Sequence, residues 1–407
     1  MQALASAREP SQRPRSDEDL ELTILMPCLD EARTVGACVA RARRFLEQHG
    51  IEGEVLVADN GSQDGSPALA VAAGARVIHV EARGYGAALA AGIAAARGRF
   101  VVMGDSDGSY DWAELMPFVE RLRQGYDLVM GNRYRGGIEK GAMPWLHRYV
   151  GNPFLTAVGR RFFGSDCGDF YCGQRGFARA AVQRMELRSR GMEFALEMLV
   201  KATLLEMRVA EVPITLSPDG RGRRSHLRTW RDGWRSLRFF LLYSPRWLFL
   251  YPGLLLGVLG LGLGLWIVPG PRRLFGLELD VHTLLYCSVA VSVGFQLVVF
   301  FLFGKVLAVV TGLHPPSPGA ERVMKRLSLE LGIAVGALLV LAGLAGSFWA
   351  TWGWARQSFG SLDPFHVMRT TIPSALLLTL GSQVICSSFY FSLLKMQWRE
   401  RFPARQG

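Results

Sequence analysis

The sequence predicts an α/β domain with a mainly parallel sheet, followed by four membrane-spanning helices. Short apolar runs alternate with helical patterns through about the first 225 residues, which is typical of a doubly wound, Rossmann-like sheet. From about residue 245 the chain changes to long apolar stretches separated by short charged loops. Stretches of this kind cannot form the surface of a water-soluble protein, so the second half is expected to lie in lipid.

The first residues are polar and rich in Arg, Ser, Pro and Asp. They contain no apolar core of the kind that a signal peptide needs. We therefore expect residues 1–20 to be a disordered tail, and the α/β domain at residues 21–225 to stay in the cytoplasm.

Five near-continuous apolar runs predict buried parallel strands: Leu22–Pro27, Glu54–Asp59, Arg76–Val80, Arg99–Gly104 and Asp127–Gly131. Helical patterns separate them, around Thr34–Gln48, Pro67–Ala73, Tyr85–Arg97 and Trp112–Gln124. Ligands of such sheets gather beyond the carboxyl ends of the strands. Three of those ends are acidic, with Asp30 and Glu31 after the first strand, Asp59 and Asp64 at the second, and Asp105 and Asp107 after the fourth.

The glycine-rich phosphate-binding signatures are absent. No GxGxxG follows the first strand, and GxxxxGK[ST] occurs nowhere in the chain, which argues against dinucleotide binding and ordinary P-loop chemistry. Asp105 and Asp107, one residue apart and followed by a glycine, instead suit a hard divalent cation shared with substrate phosphates. Asp and Gly also fill ordinary turns, so the pair alone leaves both interpretations open.

The conjunction of several short motifs resembles family 2 glycosyltransferases of the GT-A fold, over about residues 22–240. Within that family it is similar to the dolichyl-phosphate mannose and glucose synthase group and its bacterial polyprenyl-phosphate relatives. The motifs are PCLDE, ADNGSQDGS, RGYGAAL, DSDGSYD, GNR and DFYCGQRGF, which begin at Pro27, Ala58, Arg83, Asp105, Gly131 and Asp169.

The resemblance implies a nucleotide-sugar donor held by Pro27, Glu31 and Asp59, with Mg²⁺ or Mn²⁺ on Asp105 and Asp107. Arg83 opens a glycine-rich turn into a helix, where backbone N–H groups and the helix dipole favour a phosphate. A surface position for Arg83 is an equally good interpretation.

For the acceptor, the resemblance implies a polyprenyl phosphate bound by Arg133, with Arg135 and Arg175 as further candidates. Guanidinium forks suit phosphate oxygens, although a solvated basic rim is the competing interpretation for the last two. Asp169 is placed near the acceptor by the same resemblance and joins Asp107 and Arg133 in the catalytic set. A phosphate monoester is largely ionised at neutral pH, so we expect Asp169 to position groups rather than to act as a general base. The reaction implied is in-line displacement that inverts the anomeric carbon.

Glu193 and Glu197 are excluded from the catalytic set. They lie four residues apart on one helical face, and surface ion pairs with Arg190 or Lys201 explain them equally well.

A net charge of +11 raises the question of nucleic acid, but the arginines cluster ahead of the first apolar stretch, where anionic headgroups would be met. They are Arg221, Arg223, Arg224, Arg228, Arg231, Arg235, Arg238 and Arg246. We expect no nucleic-acid partner. Residues 226–245 alternate arginines with aromatic residues and predict an amphipathic juxtamembrane helix in the interface of a lipid bilayer.

Four uncharged segments in residues 246–395 are long enough to span a bilayer: Trp247–Val268, Val281–Gly304, Leu331–Ala350 and Ile372–Leu394. Basic residues concentrate in the loop between the second and third spans and in the tail at residues 396–407. This bias predicts a multi-pass protein of the inner (plasma) membrane with both termini and the catalytic domain in the cytoplasm. Glycines at four-residue spacing in the first and third spans favour close helix packing, within the chain or in a homo-oligomer.

The six cysteines show no CxxC spacing and are expected to be reduced, buried thiols. Three other functions compete with this interpretation. A processive polysaccharide synthase usually carries QxxRW, but Gln174 and Arg175 are followed by Gly176 and Phe177. A lipid-carrier flippase or scaffold would not need the acidic strand ends, and a soluble nucleotidylyltransferase would not need the spans.

Overall fold

The computed structural model describes residues 20–222, 229–316, 318–326, 328–361 and 363–402. The predicted disordered tail lies outside these residues except for Leu20. The chain divides into two compact units, Met1–Phe239 and Phe240–Gly407, so the boundary falls within the predicted juxtamembrane helix.

The first unit contains an eight-stranded sheet with strand order 3-2-1-4-7-5-8-6. Its strands are β1 Leu22–Cys28, β2 Gly53–Asp59, β3 Arg76–His79, β4 Phe100–Met103, β5 Leu128–Asn132, β6 Gly137–Ile138, β7 Arg175–Ala178 and β8 Val209–Leu216. All pairings are parallel except those of β7, which runs antiparallel between β4 and β5. The predicted mainly parallel sheet is confirmed, and the five predicted strands match within two residues at each end.

Helices join and cover these strands: α1 Val35–Gln48, α2 Ser66–Ala72, α3 Tyr85–Ala95, α4 Met116–Arg123, α5 Arg133–Gly136, α6 Asn152–Phe163, α7 Arg179–Met185 and α8 Glu193–Leu204. A π-helical turn, His147–Gly151, precedes α6. Every residue of β1 is buried, as expected for a central strand of a covered sheet. The helix expected to begin at Trp112 begins instead at Met116, and the Trp112 side chain is fully buried in the core.

The juxtamembrane segment contains helix α9, Thr229–Tyr243, which agrees with the predicted amphipathic helix. The Trp230 and Trp234 side chains are 84% and 59% exposed. The part of the prediction on residues 226–228 lies outside the described residues, as do Arg223, Arg224 and Arg228.

Among the described residues of the second unit, four helices are long and apolar enough to cross a membrane, as the sequence predicts. The first comprises a π-helical turn, Arg246–Leu250, and α10, Tyr251–Ile267; the others are α11 Val281–Val310, α13 Leu329–Arg356 and α14 Pro364–Arg401. A short hairpin, β9 Arg272–Leu274 and β10 Leu277–Leu279, and helix α12, Pro318–Arg326, lie between them. The last three helices extend beyond the predicted spans, and Arg369 of α14 pairs with Asp280 before α11.

The spaced glycines of the spans are used within the chain. A Cβ added at Gly294 of α11 would lie 2.6 Å from the Gly257 nitrogen and 2.7 Å from the Gly253 oxygen of α10. A Cβ at Gly336 of α13 would lie 2.8 Å from the Gly381 oxygen of α14. Close packing of helices within the chain therefore accounts for the glycines at these contacts.

Candidate active site

The carboxyl ends of β1 and β2 meet at one edge of the sheet, because Cys28 and Asp59 are paired in register. Asp59 is 1% exposed, and its carboxylate accepts hydrogen bonds from the backbone N–H groups of Gly61 and Ser62. His79 Nδ1 lies 3.3 Å from Asp59 Oδ2. This carboxylate therefore shapes the loop after β2 from within the protein.

The loop after β1 is tied to its neighbours on both sides. The Ser106 hydroxyl donates to the Pro27 carbonyl at 2.8 Å, and the Glu31 N–H donates to Ser66 Oγ at 2.8 Å. Asp64 accepts from Ala32 N–H and from Ser66, so its carboxylate holds the turn before α2. These bonds bring Pro27 and Glu31 to the acidic edge, where they were predicted.

Asp105 and Asp107 follow β4 at the same edge. Asp107 is 6% exposed, and its Oδ1 accepts from Ser109 N–H at 2.9 Å and from Ser109 Oγ at 2.6 Å. Gly108, between Asp107 and Ser109, has a φ of +82°, which other residues adopt only with strain. Burial, followed by the nearby charge of Asp107, raises the pKa of Asp105 to about 6, although Arg221 and the Tyr85 hydroxyl oppose this shift.

The donor atoms at this edge fit a cation that is shared with a ligand. Among the described residues, no group of three or more His, Cys, Asp or Glu side chains is arranged to hold a metal ion. Mg²⁺ is commonly bound by one or two carboxylates together with substrate phosphates and water. Asp105 and Asp107 can supply that small protein share, and they are the residues that would hold the metal.

Arg221 was not predicted as a site residue. Its place in the arginine-rich stretch before the first span suggested that it faces lipid headgroups. The structure corrects this: its Nε lies 2.8 Å from Glu31 Oε1, and its Nη2 lies 2.9 Å from Asp107 Oδ2. The side chain is 20% exposed. The pattern of charges could not predict this contact, because the position of Arg221 depends on the path of the chain after β8.

Arg83 is exposed and lies just before Gly84, where the chain turns into α3. Gly84 has a φ of +130°, and its N–H donates to the Asn60 side chain at 2.7 Å. Asn60 also donates to the carbonyls of Val80 and Ala82. The turn is therefore anchored beside the end of β2, and Arg83 is an exposed residue at its start.

Arg133 and Asp169 form a buried, two-pronged ion pair. The distances are 2.7 Å from Nε to Oδ2 and 2.8 Å from Nη2 to Oδ1, and the side chains are 8% and 0% exposed. Asp169 also accepts from the N–H groups of Arg133 and Tyr171. Burial alone would lower the pKa of Arg133, but the hydrogen bonds and charge of Asp169 raise it overall.

Tyr110 connects the acidic edge with this ion pair. Its hydroxyl accepts from Gly173 N–H at 2.9 Å, and it interacts electrostatically with both Arg133 and Asp105. A Cβ at Gly173 would lie 3.2 Å from Asp105 Oδ2, so the segment after Asp169 passes beside that carboxylate. The two predicted groups of residues therefore belong to one region of the domain.

Glu211 on β8 is a second residue that sequence reasoning missed. Its Oε1 accepts from Gly168 N–H at 2.6 Å and from the Asn132 side chain at 3.2 Å, which fastens the loop before Asp169 to the end of β5. Its Oε2 lies 3.7 Å from Arg135, whose side chain is 66% exposed. Arg135 thus remains accessible to a ligand.

Arg175 does not lie where a substrate contact was predicted. It is fully buried, and its three nitrogens donate to the carbonyls of Cys172, Ala195 and Phe170. Burial lowers its pKa. The predicted direct contact is therefore corrected to a structural role, in which the guanidinium satisfies backbone carbonyls inside the fold.

Glu197 pairs with Lys201 at 2.8 Å, as one interpretation had it, but the pair is buried and not at the surface. All six cysteines are free, and five are buried; Cys386 is exposed.

Two family models match the chain. Residues 23–185 match "Glycosyl transferase family 2", and residues 302–395 match "Glycosyltransferase family 2 C-terminal transmembrane region". The four apolar helices are thus those of a membrane protein.

Curated relatives extend the similarity over nearly the whole chain. The low-salt glycan biosynthesis hexosyltransferase Agl6 of Haloferax volcanii is 35% identical over 383 residues, which cover 93% of this chain and 91% of the relative. A dolichyl-phosphate hexose transferase of the same organism is 31% identical over 194 residues, covering 48% and 82% respectively. A solved glucosyl-3-phosphoglycerate synthase from Mycobacterium tuberculosis, with Mn²⁺ and UDP, aligns with a TM-score of 0.43 and 21% identity, over 58% of this chain and 84% of that chain.

Proposed function

This chain belongs to glycosyltransferase family 2, with a GT-A domain and a C-terminal transmembrane region, and from that membership we propose that it glycosylates a polyprenyl phosphate. The donor is a UDP- or GDP-sugar, and the product is a polyprenyl-phosphate-sugar that serves cell-envelope glycan or glycoprotein assembly. The similarity to a relative named for dolichyl-phosphate hexose transfer supports this choice of acceptor.

One observation carries the proposal: a single edge of the sheet holds both a carboxylate group and a buried arginine. Glu31, Asp105 and Asp107 form the first, and Arg133 with Asp169 forms the second, with Tyr110 interacting with both. The carboxylates suit a nucleotide diphosphate that carries a divalent metal, and the arginine suits a lipid phosphate. Nucleotide contacts are assigned to Pro27, Glu31 and Asp59, and diphosphate contact to Arg83.

The reaction is a direct displacement. An ionised oxygen of the lipid phosphate attacks the anomeric carbon, the bond from that carbon to the diphosphate oxygen breaks, and the configuration inverts. Arg133 and Arg135 orient the acceptor phosphate, because guanidinium groups bind phosphate oxygens with defined geometry. When bound, Mg²⁺ or Mn²⁺ supplies positive charge that stabilises the departing nucleoside diphosphate.

Asp169 is assigned to hold Arg133 and not to remove a proton. Both of its oxygens already accept hydrogen bonds, and the side chain is fully buried. The acceptor also offers little to deprotonate, since the second pKa of a phosphate monoester is about 6.

The basic residues that flank the spans support a cytoplasmic position for the catalytic domain. The membrane assigned is the inner, or plasma, membrane.

The test uses the purified full chain with undecaprenyl phosphate or dolichyl phosphate and a panel of UDP- and GDP-sugars. Mass spectrometry of the lipids is expected to show one added hexosyl group with Mg²⁺ or Mn²⁺, and none after EDTA treatment. Asp107→Asn is expected to lose the product by at least about 100-fold. Asp111→Asn, at an exposed carboxylate of the same loop, is the matched control and is expected to retain it. No lipid product with any donor, or a polymer in its place, would refute the proposal.

A further inference from the structure

A guanidinium group occupies the space between two carboxylates of the acidic edge. Arg221 lies 2.8 Å from Glu31 and 2.9 Å from Asp107, whose side chains are 5% and 8% exposed. It also interacts with Asp105. The protein thus supplies its own positive charge at the place where the carboxylates would receive a cation.

The two oxygens of Asp107 are used differently. Oδ1 accepts two hydrogen bonds from Ser109 of the same turn, and Oδ2 is bound by Arg221. An external cation would therefore bind Asp107 through Oδ2, and Arg221 is already paired with that oxygen. A cation and the guanidinium compete for the same atom.

The backbone around Arg221 is fixed independently of its side chain. Ser217 N–H donates to the Ser109 carbonyl at 3.0 Å, and Gly220 N–H donates to the Asp107 carbonyl at 2.9 Å. A Cβ at Gly220 would lie 2.8 Å from Thr34 Cγ2, so the segment passes close to the loop after β1. The arginine side chain can leave Asp107 while these backbone contacts persist.

We propose that Arg221 is a resident cation that competes with the divalent metal for Asp107 and is displaced when metal and nucleotide bind together. This inference rests on the metal site of the proposed function. It makes metal binding weak without nucleotide, because the metal must first displace the guanidinium group from its ion pair with Asp107. A nucleotide diphosphate brings negative charge to both cations, so metal and nucleotide strengthen one another's binding by the same factor.

Electron paramagnetic resonance of free Mn²⁺ tests this competition without turnover. The detergent-purified full chain is titrated with Mn²⁺ alone, and then with Mn²⁺ in the presence of UDP or GDP. Arg221→Gln is expected to bind Mn²⁺ alone about tenfold more tightly than wild type, since a competing charge has been removed. It is also expected to gain less from nucleotide than wild type does.

Arg184→Gln is the matched control. Arg184 forms an ion pair of 2.8 Å with Asp127, which precedes β5 and so lies outside the acidic edge. Its Mn²⁺ affinity is expected to equal that of wild type. Arg221→Lys keeps a charge but lacks the planar fork, so its affinity is expected to lie between those of wild type and Arg221→Gln.

An unchanged or weakened Mn²⁺ affinity in Arg221→Gln would overturn the inference. If that variant does not fold, Arg221→Lys decides: an Mn²⁺ affinity no higher than that of wild type would equally overturn the inference, and a higher affinity would support it. Asp107→Asn separates the two proposals. Weaker Mn²⁺ binding in Asp107→Asn with no change in Arg221→Gln leaves the proposed metal site standing and removes only the role of Arg221. If neither substitution changes Mn²⁺ affinity, both proposals fail.

Discussion

Arg133 and Asp169 face each other through two parallel hydrogen bonds of 2.8 and 2.7 Å inside the catalytic domain. The arginine comes from the short helix after β5, and the aspartate comes from the loop before β7. Removing one partner of such a pair leaves an uncompensated buried charge. The pair therefore fixes both the loop and the direction of the arginine proposed to bind the acceptor.

We expect Asp169→Asn to lower the free energy of unfolding of the catalytic domain by about 3–5 kcal/mol. The double variant Arg133→Gln/Asp169→Asn is expected to recover part of that loss, because it leaves no unpaired charge. Thermal unfolding of the detergent-purified chain measures both. Equal destabilisation by the single and double variants would mean that the charge pair does not account for the effect.

Five strands and four spans followed directly from apolar patterns, but β6, β7 and β8 did not, and β7 shows why. Its four residues, Arg175–Ala178, include a buried arginine and a glycine, and its partners β4 and β5 lie far away in sequence. No local period reports such a pairing. Arg175 was misassigned for the same reason: an arginine beside a motif suggests a ligand contact, and only the fold shows that it binds carbonyls.

The pH dependence of metal binding follows from Asp105. Burial and the charge of Asp107 raise its pKa to about 6, so the carboxyl keeps its proton to a higher pH than an ordinary aspartate. Because metals bind the ionised form, we expect the Mn²⁺ affinity of the nucleotide-free protein to fall as the pH decreases through about 6. Binding is a better readout than turnover here, since the acceptor phosphate also titrates near about pH 6.

Raising the pH affects the folding stability of the metal-free protein in the opposite direction. A raised carboxyl pKa means that the folded state holds more protons than the unfolded state between about pH 4 and 6, so this group makes the metal-free protein less stable as the pH rises through that range. A midpoint for Mn²⁺ binding near about pH 4 would contradict the raised pKa of Asp105.

Glu197 and Lys201 are expected to hold the loop that covers the start of α3. The Glu197 carboxylate accepts from the N–H groups of Arg188 and Ser189, and Lys201 donates to the Glu186 carbonyl. The Arg190 carbonyl accepts from Ala87 N–H, so the loop rests on the turn that follows Arg83.

Glu197→Ala is therefore expected to destabilise the domain by about 3–5 kcal/mol and to raise the KM for the donor. Glu193→Ala, one turn earlier on the same helix and partly exposed, is the matched control with a small expected effect. An unchanged donor KM in a folded Glu197→Ala protein would show that this loop does not support the donor site.

The membrane unit offers a pair of glycines with opposite expectations. Gly294→Ile places side-chain atoms against the Gly253 and Gly257 backbone and is expected to cost at least about 1–3 kcal/mol. Gly262→Ile is the control, because a Cβ at Gly262 meets nothing within 4 Å. Thermal stability and monodispersity in detergent measure the difference. Greater damage from Gly262→Ile would instead indicate a helix contact outside this chain.

Arg221 and Glu211 are site residues that charge and periodicity could not predict. The sequence shows an arginine-rich run before the first span, but nothing in that run separates Arg221 from its neighbours. Its assignment required the backbone bonds between the 217–220 segment and the loop after β4. Asp105 and Asp107, in contrast, were predicted from their place after a buried strand, since the edge where strands end is set by the sheet itself.

The most direct test of the account is the position of a bound donor. A cryo-EM or crystal structure of the full chain with Mn²⁺ and a non-hydrolysable UDP- or GDP-sugar would give that position. We expect the diphosphate to lie beside Asp105 and Asp107, with Arg221 withdrawn from Asp107. A nucleotide bound elsewhere, with these two aspartates contacting neither the diphosphate nor a metal, would contradict the account.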